Sequence, residues 1–243
     1  MKKYILILFC TVGFSALSQT ADKLFENANS SYNNENYDLA ISYYDSIIAQ
    51  GLESKELYYN LANSWYLKGN IPLAILNYEK AIKINPYHTF SIYNLEIAEK
   101  RINKLEQLPT LKISYWANKL IKIASLNLWS FIFLLSIWIS FFFAYRFINY
   151  RSKFNFKILT ISGLLCLFLY ASFNTKKNQF NTKVAIVTNN TELFIEPNKQ
   201  AKKILDLSSG NKIIILNQSE NWIYVALPNG DKGWISDNTI RYI

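Results

Sequence analysis

A repeat of 34 residues constrains the fold of this chain more than any other feature of its sequence. Aligning residues 21–54 with residues 55–88 brings identical residues together: Ala28 with Ala62, Asn36 with Asn70, Ala40 with Ala74, and Tyr44 with Tyr78. The triplet Tyr59-Asn60-Leu61 returns after the same interval as Tyr93-Asn94-Leu95. Periods of this length are typical of solenoids, in which each unit is one supersecondary element and neighbouring units share a core.

The second unit, 55–88, resembles the tetratricopeptide repeat. Its signature positions are occupied by Leu61, Ala62, Trp65, Gly69, Ala74, Tyr78, Ala81 and Pro86. The alanines are small where helices approach closely, Gly69 permits the turn between helices, and Pro86 ends the second helix. The resemblance implies an all-α tetratricopeptide repeat stack over residues 19–108, with two antiparallel helices in each unit.

The neighbouring units depart from this pattern. The first unit, 21–54, has Glu35 in place of the turn glycine and Ile47 in place of the last alanine. In the third unit the repeat pattern is recognisable only in the first helix. The sequence therefore predicts a single capping helix over 88–107. Because two and a half units are few for an independent solenoid, we expect the stack to depend on the membrane, a partner or a second copy.

The resemblance also implies a concave groove, lined by the first helix of each unit, that takes an extended or helical peptide. The groove positions correspond to Asn29, Tyr59, Asn60, Asn63, Tyr93 and Asn94. Asparagine both donates and accepts hydrogen bonds, which suits a peptide backbone. The lysines with which some relatives hold a terminal carboxylate are replaced by Asp22, Phe25, Glu56 and Phe90. The alternative is that the asparagines only solvate the surface and the tyrosines pack the stack.

Two apolar runs follow the repeats. Residues 123–145 form 23 consecutive uncharged residues, and residues 158–175 form 18 more. Helices of this length can cross the hydrocarbon core of a bilayer, so the sequence predicts transmembrane helices over 124–146 and 158–175. The connector, 147–157, contains basic residues and no acid, as a cytoplasmic loop does.

The first eighteen residues resemble an export signal peptide, with Lys2 and Lys3 ahead of an apolar stretch and small residues near Ser18. Export of the chain would place the repeats and the C-terminal region on the periplasmic side of a bacterial inner membrane. Whether residues 1–18 are cleaved stays open. Residues 111–123 have apolar residues at helical spacing, which indicates either an amphipathic interfacial helix or an extra helix capping the repeats.

The formal charge of +9 is not a nucleic-acid signal, because it is concentrated around the apolar runs. Residues 19–108 carry eight Lys/Arg against eleven Asp/Glu, and residues 181–243 carry seven against six. Residues 109–180 carry nine cations and no acid. Cations in that position contact lipid head groups and influence topology, so we expect membrane lipid as a partner and no nucleic acid.

The sequence offers no set of residues for catalysis or metal binding. Cys10 and Cys166 both lie inside apolar runs, and His88 is the single histidine. Carboxylates such as Asp38 and Asp45 are best interpreted as exposed helix charges. We therefore predict a protein that is not an enzyme and that uses no cofactor or metal.

From residue 183 onward the pattern changes to short β-branched and aromatic strands, and Asn229-Gly230 predicts a hairpin turn. The region 183–243 resembles a bacterial SH3-like barrel through Pro197, Gly210, the run around Trp222 and residues 230–235. That resemblance implies a ligand surface formed by Trp222, Tyr224 and Trp234, although Glu192 and Phe194 replace polar residues common in the family. The favoured alternative is that Trp222 and Trp234 only fill the core.

The order of signal, repeats, transmembrane pair and SH3-like barrel resembles the BatE family of the Bacteroides aerotolerance operon. This resemblance implies partners among envelope proteins, including Bat proteins with von Willebrand A domains, and a role in oxygen or stress tolerance. Our leading hypothesis is a membrane-anchored adaptor that binds a protein in the repeat groove. The alternative is a cell-wall sensor that binds peptidoglycan peptides through the SH3-like region.

Overall fold

The computed structural model describes residues 21–102, 104–105, 125–150 and 152–243. The described residues up to Leu105 form one compact unit together with Lys183–Ile243, and those between Ser125 and Thr182 form another. The predicted signal peptide, 1–18, and the predicted amphipathic helix, 111–123, lie outside the described residues.

The first unit begins with a stack of helices joined by short turns. The helices are α1 (21–33), α2 (Tyr37–Ala49), α3 (Lys55–Leu67), α4 (Ile71–Ile84) and α5 (Thr89–Glu99). This arrangement confirms the predicted helical repeat stack. The last helix is shorter than the predicted capping helix over 88–107, because the chain turns after Glu99. After this turn, Ile102 packs against the helical cluster that includes Ala74 and Ala98.

The second helices of the first two units begin at equivalent positions of the 34-residue repeat. The side-chain oxygen of Asn36 accepts a hydrogen bond from the backbone N–H of Leu39 at 3.3 Å, and that of Asn70 accepts one from Leu73 at 3.2 Å. Each bond satisfies a backbone N–H that has no partner inside its helix. Asn36 and Asn70 therefore mark the start of the second helix in their respective units.

Alanines fill the places where the helices of the stack approach most closely. Ala28, Ala40, Ala62 and Ala74 are all fully buried, with an exposed fraction of 0%. Around them lie Leu, Ile and Tyr side chains in two clusters, one centred on α1 to α3 and the other on α3 to α5. A larger side chain at these positions would separate the helices, which is why the repeat pattern specifies alanine.

The C-terminal region, 183–243, is an antiparallel sheet in the order β3-β2-β6-β5-β4-β1-β7. Its strands are β1 (Val184–Val187), β2 (Thr191–Phe194), β3 (Lys203–Leu207), β4 (Lys212–Ser219), β5 (Trp222–Ala226), β6 (Lys232–Ser236) and β7 (Ile240–Tyr242). We call this element the C-terminal sheet. The seven strands agree with the predicted all-β class, and closure into a barrel stays a prediction.

The hairpin between β5 and β6 forms at the predicted turn. Gly230 has a φ of 93°, a left-handed conformation that glycine adopts without steric cost. The backbone N–H of Leu227 donates to the carbonyl of Asp231 at 2.8 Å and closes the turn. Alternate residues of the two strands, among them Ile223, Val225 and Ile235, belong to the buried core of the sheet.

The C-terminal sheet packs directly against the repeat stack, so the two predicted modules form one compact unit. Ile186 of β1 is fully buried among helical residues that include Ala74 and Ala98. The sequence predicts two separate domains here. Their contact leaves no local pattern, because the contacting residues lie more than eighty positions apart along the chain.

The other unit consists of two packed apolar helices, α6 (Leu126–Tyr150) and α7 (Lys153–Asn181). By length and composition, Asn127–Tyr150 and Phe156–Thr175 are candidate membrane spans, with mean hydropathies of 2.0 and 1.8. Most of the segment predicted as a loop over 147–157 is helical instead. Helix α6 extends to Tyr150 and α7 begins at Lys153. Ser152, described between them, is not helical.

Candidate functional site

A cavity of about 250 Å³ opens between the helices of the repeat stack. Tyr59, Asn63 and Asn94, three of the predicted groove residues, line it. The remaining lining residues are Tyr32, Tyr66, Leu67, Tyr78 and Ile97. We call this site the inter-helix cavity. It is contributed by the first helices α1, α3 and α5 together with Tyr78 of α4.

The predicted groove residue Asn29 takes part in a hydrogen-bond network between helices. Its side-chain oxygen accepts a bond from the Tyr44 hydroxyl at 2.6 Å and another from the Asn60 amide at 3.0 Å. The network therefore joins α1 to both α2 and α3. The Asn29 oxygen already has two donors, so it is occupied within the protein.

The same network recurs one unit later. The oxygen of Asn63 accepts from the Tyr78 hydroxyl at 2.6 Å and from the Asn94 amide at 3.0 Å. Each of these residues lies 34 positions after its counterpart in the first network. The Asn94 amide also lies 3.4 Å from the hydroxyl of Tyr59. The sequence period thus specifies a polar connection between helices as well as an apolar core.

Four of the six predicted groove residues, Asn29, Asn60, Asn63 and Asn94, belong to these networks. They are half-buried rather than fully exposed. Their oxygen and amide groups hold neighbouring first helices in register, a role that sequence analysis did not identify. The signal was present in the sequence, since Asn29 and Asn63 are separated by one period, as are Asn60 and Asn94.

The tyrosines of the two networks are buried and remain protonated. Burial raises the pKa of Tyr44 to about 12, and the hydrogen bond with Asn60 partly opposes this effect. Burial likewise raises the pKa of Tyr78, with Asn94 acting in the opposite direction. None of the residues lining the inter-helix cavity is an acid or a base that carries charge at neutral pH. The cavity therefore suits an uncharged side chain.

Aromatic residues extend from the cavity along the first helices. Phe25, Tyr59 and Tyr93 occupy the same position in three successive units. Tyr59 lies 5.3 Å from the His88 ring and 6.3 Å from the Phe90 ring, measured between ring centroids. Tyr93, the sixth predicted groove residue, is 65% exposed and does not line the cavity. Its side chain is accessible on the surface of α5.

His88 has a local structural role at the start of α5. Its Nδ1 atom lies 2.7 Å from the hydroxyl oxygen of Ser91, one turn into the helix. Among the residues that the structure describes, no group of three His, Cys, Asp or Glu side chains is arranged to hold a metal ion. Cys166 is half-buried within α7.

The predicted ligand residues of the C-terminal sheet lie on its outer face. Trp222, Tyr224 and Trp234 are half-buried, and the rings of Tyr224 and Trp234 are 5.2 Å apart. Neither Trp222 nor Trp234, which the favoured alternative assigns to the core, belongs to the fully buried cluster of the sheet. Side chains alternate between the faces of a strand, and the inward positions belong to residues such as Ile223 and Ile235.

A second cavity, of about 830 Å³, opens beside Trp222. Its lining includes the cations Lys199 and Arg241 and the carboxylate of Asp237. Tyr224 and Trp234 lie outside it. The three aromatic residues predicted as one surface are therefore divided, with Trp222 facing the cavity and the rings of Tyr224 and Trp234 in contact with each other outside it.

Comparison with known families identifies the tetratricopeptide repeat in residues 56–88. This match covers the second unit, α3 and α4, which is the unit whose sequence follows the repeat pattern most closely. The comparison with curated proteins gave no match. The chain thus contains a tetratricopeptide repeat, an element that generally mediates binding between proteins.

Proposed function

We propose that this protein is an adaptor that binds a protein partner through the inter-helix cavity and the aromatic surface beside it. The cavity carries the proposal, because its lining combines four tyrosines and two aliphatic residues with two asparagine amides. Such a lining favours a partner segment with an uncharged aromatic or aliphatic side chain, since burying a charge there would lack a compensating partner. The amide nitrogen of Asn63 and the amide oxygen of Asn94, which the network between helices does not use, would orient the partner backbone.

The candidate spans α6 and α7 support anchoring of this adaptor in a membrane. In both helices large apolar side chains face outward, such as Trp138 with 75% and Leu164 with 68% exposed surface. Lipid is the environment in which such surfaces are stable. Together with the predicted export signal, this supports a location in the bacterial inner membrane with the first unit in the periplasm.

The resemblance to the BatE family supports a more specific version of the proposal. In that version the partners are envelope proteins, including Bat proteins with von Willebrand A domains, and the complex contributes to oxygen or stress tolerance. Residues 56–88 support only the general adaptor function, through their match to the tetratricopeptide repeat.

Photo-crosslinking in native membranes tests the adaptor function. A photoreactive benzoylphenylalanine would replace Leu67, which lines the cavity and is 49% exposed. Leu39 on α2 is 41% exposed outside the cavity and provides a matched control position. We expect light-dependent protein adducts from position 67 that are absent from position 39. Identical adducts at both positions, or none at position 67, would reject binding in the cavity.

A second function, recognition of cell-wall peptide by the C-terminal sheet, is favoured by the larger cavity beside Trp222. The cavity combines an aromatic surface with Lys199, Arg241 and Asp237, and peptide stems of the cell wall carry both carboxylates and amines. The full-length protein would be sedimented with purified cell wall. We expect Trp222→Ala to abolish co-sedimentation and Trp234→Ala, outside the cavity, to preserve it. Equal behaviour of the two variants would argue against this site.

A further inference from the structure

We propose that the C-terminal sheet is the terminal cap of the repeat stack and holds the helix that forms one wall of the inter-helix cavity. Of the third unit, the described residues contain one helix, α5. A helical solenoid needs a capping element that covers the open side of its last unit. Strand β1 of the C-terminal sheet packs against α4, and its Ile186 shares a buried cluster with Ala98 of α5.

Strand β1 provides the clearest evidence for this role, because all of its last three residues are fully buried. Side chains of a strand alternate between two faces, so burial of consecutive residues requires packing on both. Ala185 and Val187 belong to the core of the sheet, whereas Ile186 belongs to the helical cluster with Ala98 and Ile75. The opposite face of β1 is therefore part of the repeat core.

Polar contacts surround this apolar centre. Lys212 of β4 pairs with Glu79 of α4 at 2.7 Å, and the Glu79 side chain is only 12% exposed. The ammonium group of Lys83 donates to the backbone carbonyl of Ile243 at 2.8 Å. The buried side chain of Asn211 accepts a hydrogen bond from the backbone N–H of Leu105 at 2.9 Å. These contacts fix both α4 and the chain after α5 to the sheet.

The turn before β4 is shaped to admit the repeat stack. Gly210 has a φ of 90°, and a side chain there would approach Ile102 to within 2.9 Å. Ile102 itself packs against the helical cluster. The glycine therefore allows a conformation and a close approach that another residue would prevent.

The sheet does not copy the geometry of a repeat helix. Glu96 stands where the second unit has Ala62, and it remains exposed with an ion pair to Lys100 at 2.9 Å. The contact with the sheet lies instead at Ala98, near the C-terminal end of α5, and at Ile102, which follows the helix. From its sequence, the short stack is expected to depend on a membrane, a partner or a second copy. Its own C-terminal sheet supplies a contact of this kind.

One consequence follows from the cap. Since α5 contributes Asn94 and Ile97 to the inter-helix cavity, the sheet positions that wall without lining the cavity. The cap itself does not depend on the proposed adaptor function.

Hydrogen exchange measured by mass spectrometry on the full chain in detergent micelles tests the cap directly and needs no binding partner. Ile186→Asp places a charge in the helical cluster, and Ile214→Asp makes the same change at a sheet position that is 42% exposed. We expect Ile186→Asp to accelerate exchange in α4 and α5 at least about tenfold. Ile214→Asp should leave both helices unchanged. Unaltered exchange in α5 of a folded Ile186→Asp variant would overturn the cap.

A charge reversal decides the question if Ile186→Asp fails to fold. Glu79→Lys and Lys212→Glu should each accelerate exchange in α4. In the double variant, exchange in α4 should be about threefold slower than in either single variant. Restoration requires that the two side chains meet in the folded protein. A double variant that shows only the sum of the two single effects would overturn the contact, and the cap with it.

Discussion

The hydroxyl of Tyr78 donates a 2.6 Å hydrogen bond to the side-chain oxygen of Asn63, which links the second helix of a unit to its first helix. Tyr44 and Asn29 form the same bond one unit earlier, also at 2.6 Å. In both units the asparagine then accepts from an asparagine of the next first helix. The stack is therefore held by a repeated polar network whose failure would separate helices that also form the inter-helix cavity.

Removing the Tyr78 hydroxyl should weaken this network while leaving the packed ring in place. We expect Tyr78→Phe to lower the free energy of unfolding by about 1 kcal/mol, the usual contribution of one intramolecular hydrogen bond. Tyr93→Phe is a suitable control because that side chain is 65% exposed. Urea unfolding followed by circular dichroism measures both. A larger loss for Tyr93→Phe would show that the Tyr78 bond is not a significant stabilising contact.

The raised pKa of Tyr44, about 12, predicts how stability changes at alkaline pH. A tyrosine in the unfolded chain loses its proton near pH 10. Between this value and about 12 the folded state binds the proton more tightly, so its contribution to stability is complete below pH 10 and is lost as the pH rises. Unfolding free energies of the wild type and Tyr44→Phe should therefore converge over this range. A constant difference between the two proteins would contradict the prediction.

The features predicted correctly from the sequence are those determined by nearby residues. The period of 34 residues indicated the helical stack, and Asn229-Gly230 indicated the hairpin between β5 and β6. In each case a local interaction determines the conformation, whether a close helix contact at an alanine or a left-handed turn at a glycine. Such interactions leave a pattern that can be recognised without knowing the rest of the fold.

The features that were missed depend on contacts between distant residues. The core of the stack contains Ile186, which lies more than a hundred positions after Ala74. The hint was a run of buried apolar residues in β1, which shows that both faces of a strand are covered but not by what. The half-buried position of Trp222 has another cause. Hydrophobicity favours burial, whereas strand alternation with Ile223 and Val225 places Trp222 on the outer face.

Gly233 in β6 should not tolerate a side chain. An added Cβ atom would lie 2.6 Å from the backbone oxygen of Phe194 and 2.7 Å from Cγ of Leu193. We expect Gly233→Ala to destabilise the protein by about 1–3 kcal/mol, since the backbone of the neighbouring strand must move. Thermal unfolding measures this loss. Ser236→Ala introduces the same residue at the end of β6 and should have little effect; an equal loss in both variants would rule out crowding at Gly233 as the cause.

Glu35 and Gly69 occupy the same turn in successive units, and both adopt a left-handed conformation, with φ values of 61° and 88°. This conformation is unfavourable for a residue with a Cβ atom, so Glu35→Gly should stabilise the protein by up to about 1 kcal/mol. Gly69→Ala should destabilise it by a similar amount, although no atom lies within 4 Å of the added Cβ. Glu35→Ala is the control, because it removes the charge and retains the Cβ. Chemical denaturation would compare the three variants, and a gain in Glu35→Ala equal to that in Glu35→Gly would attribute the effect to the carboxylate rather than to the backbone.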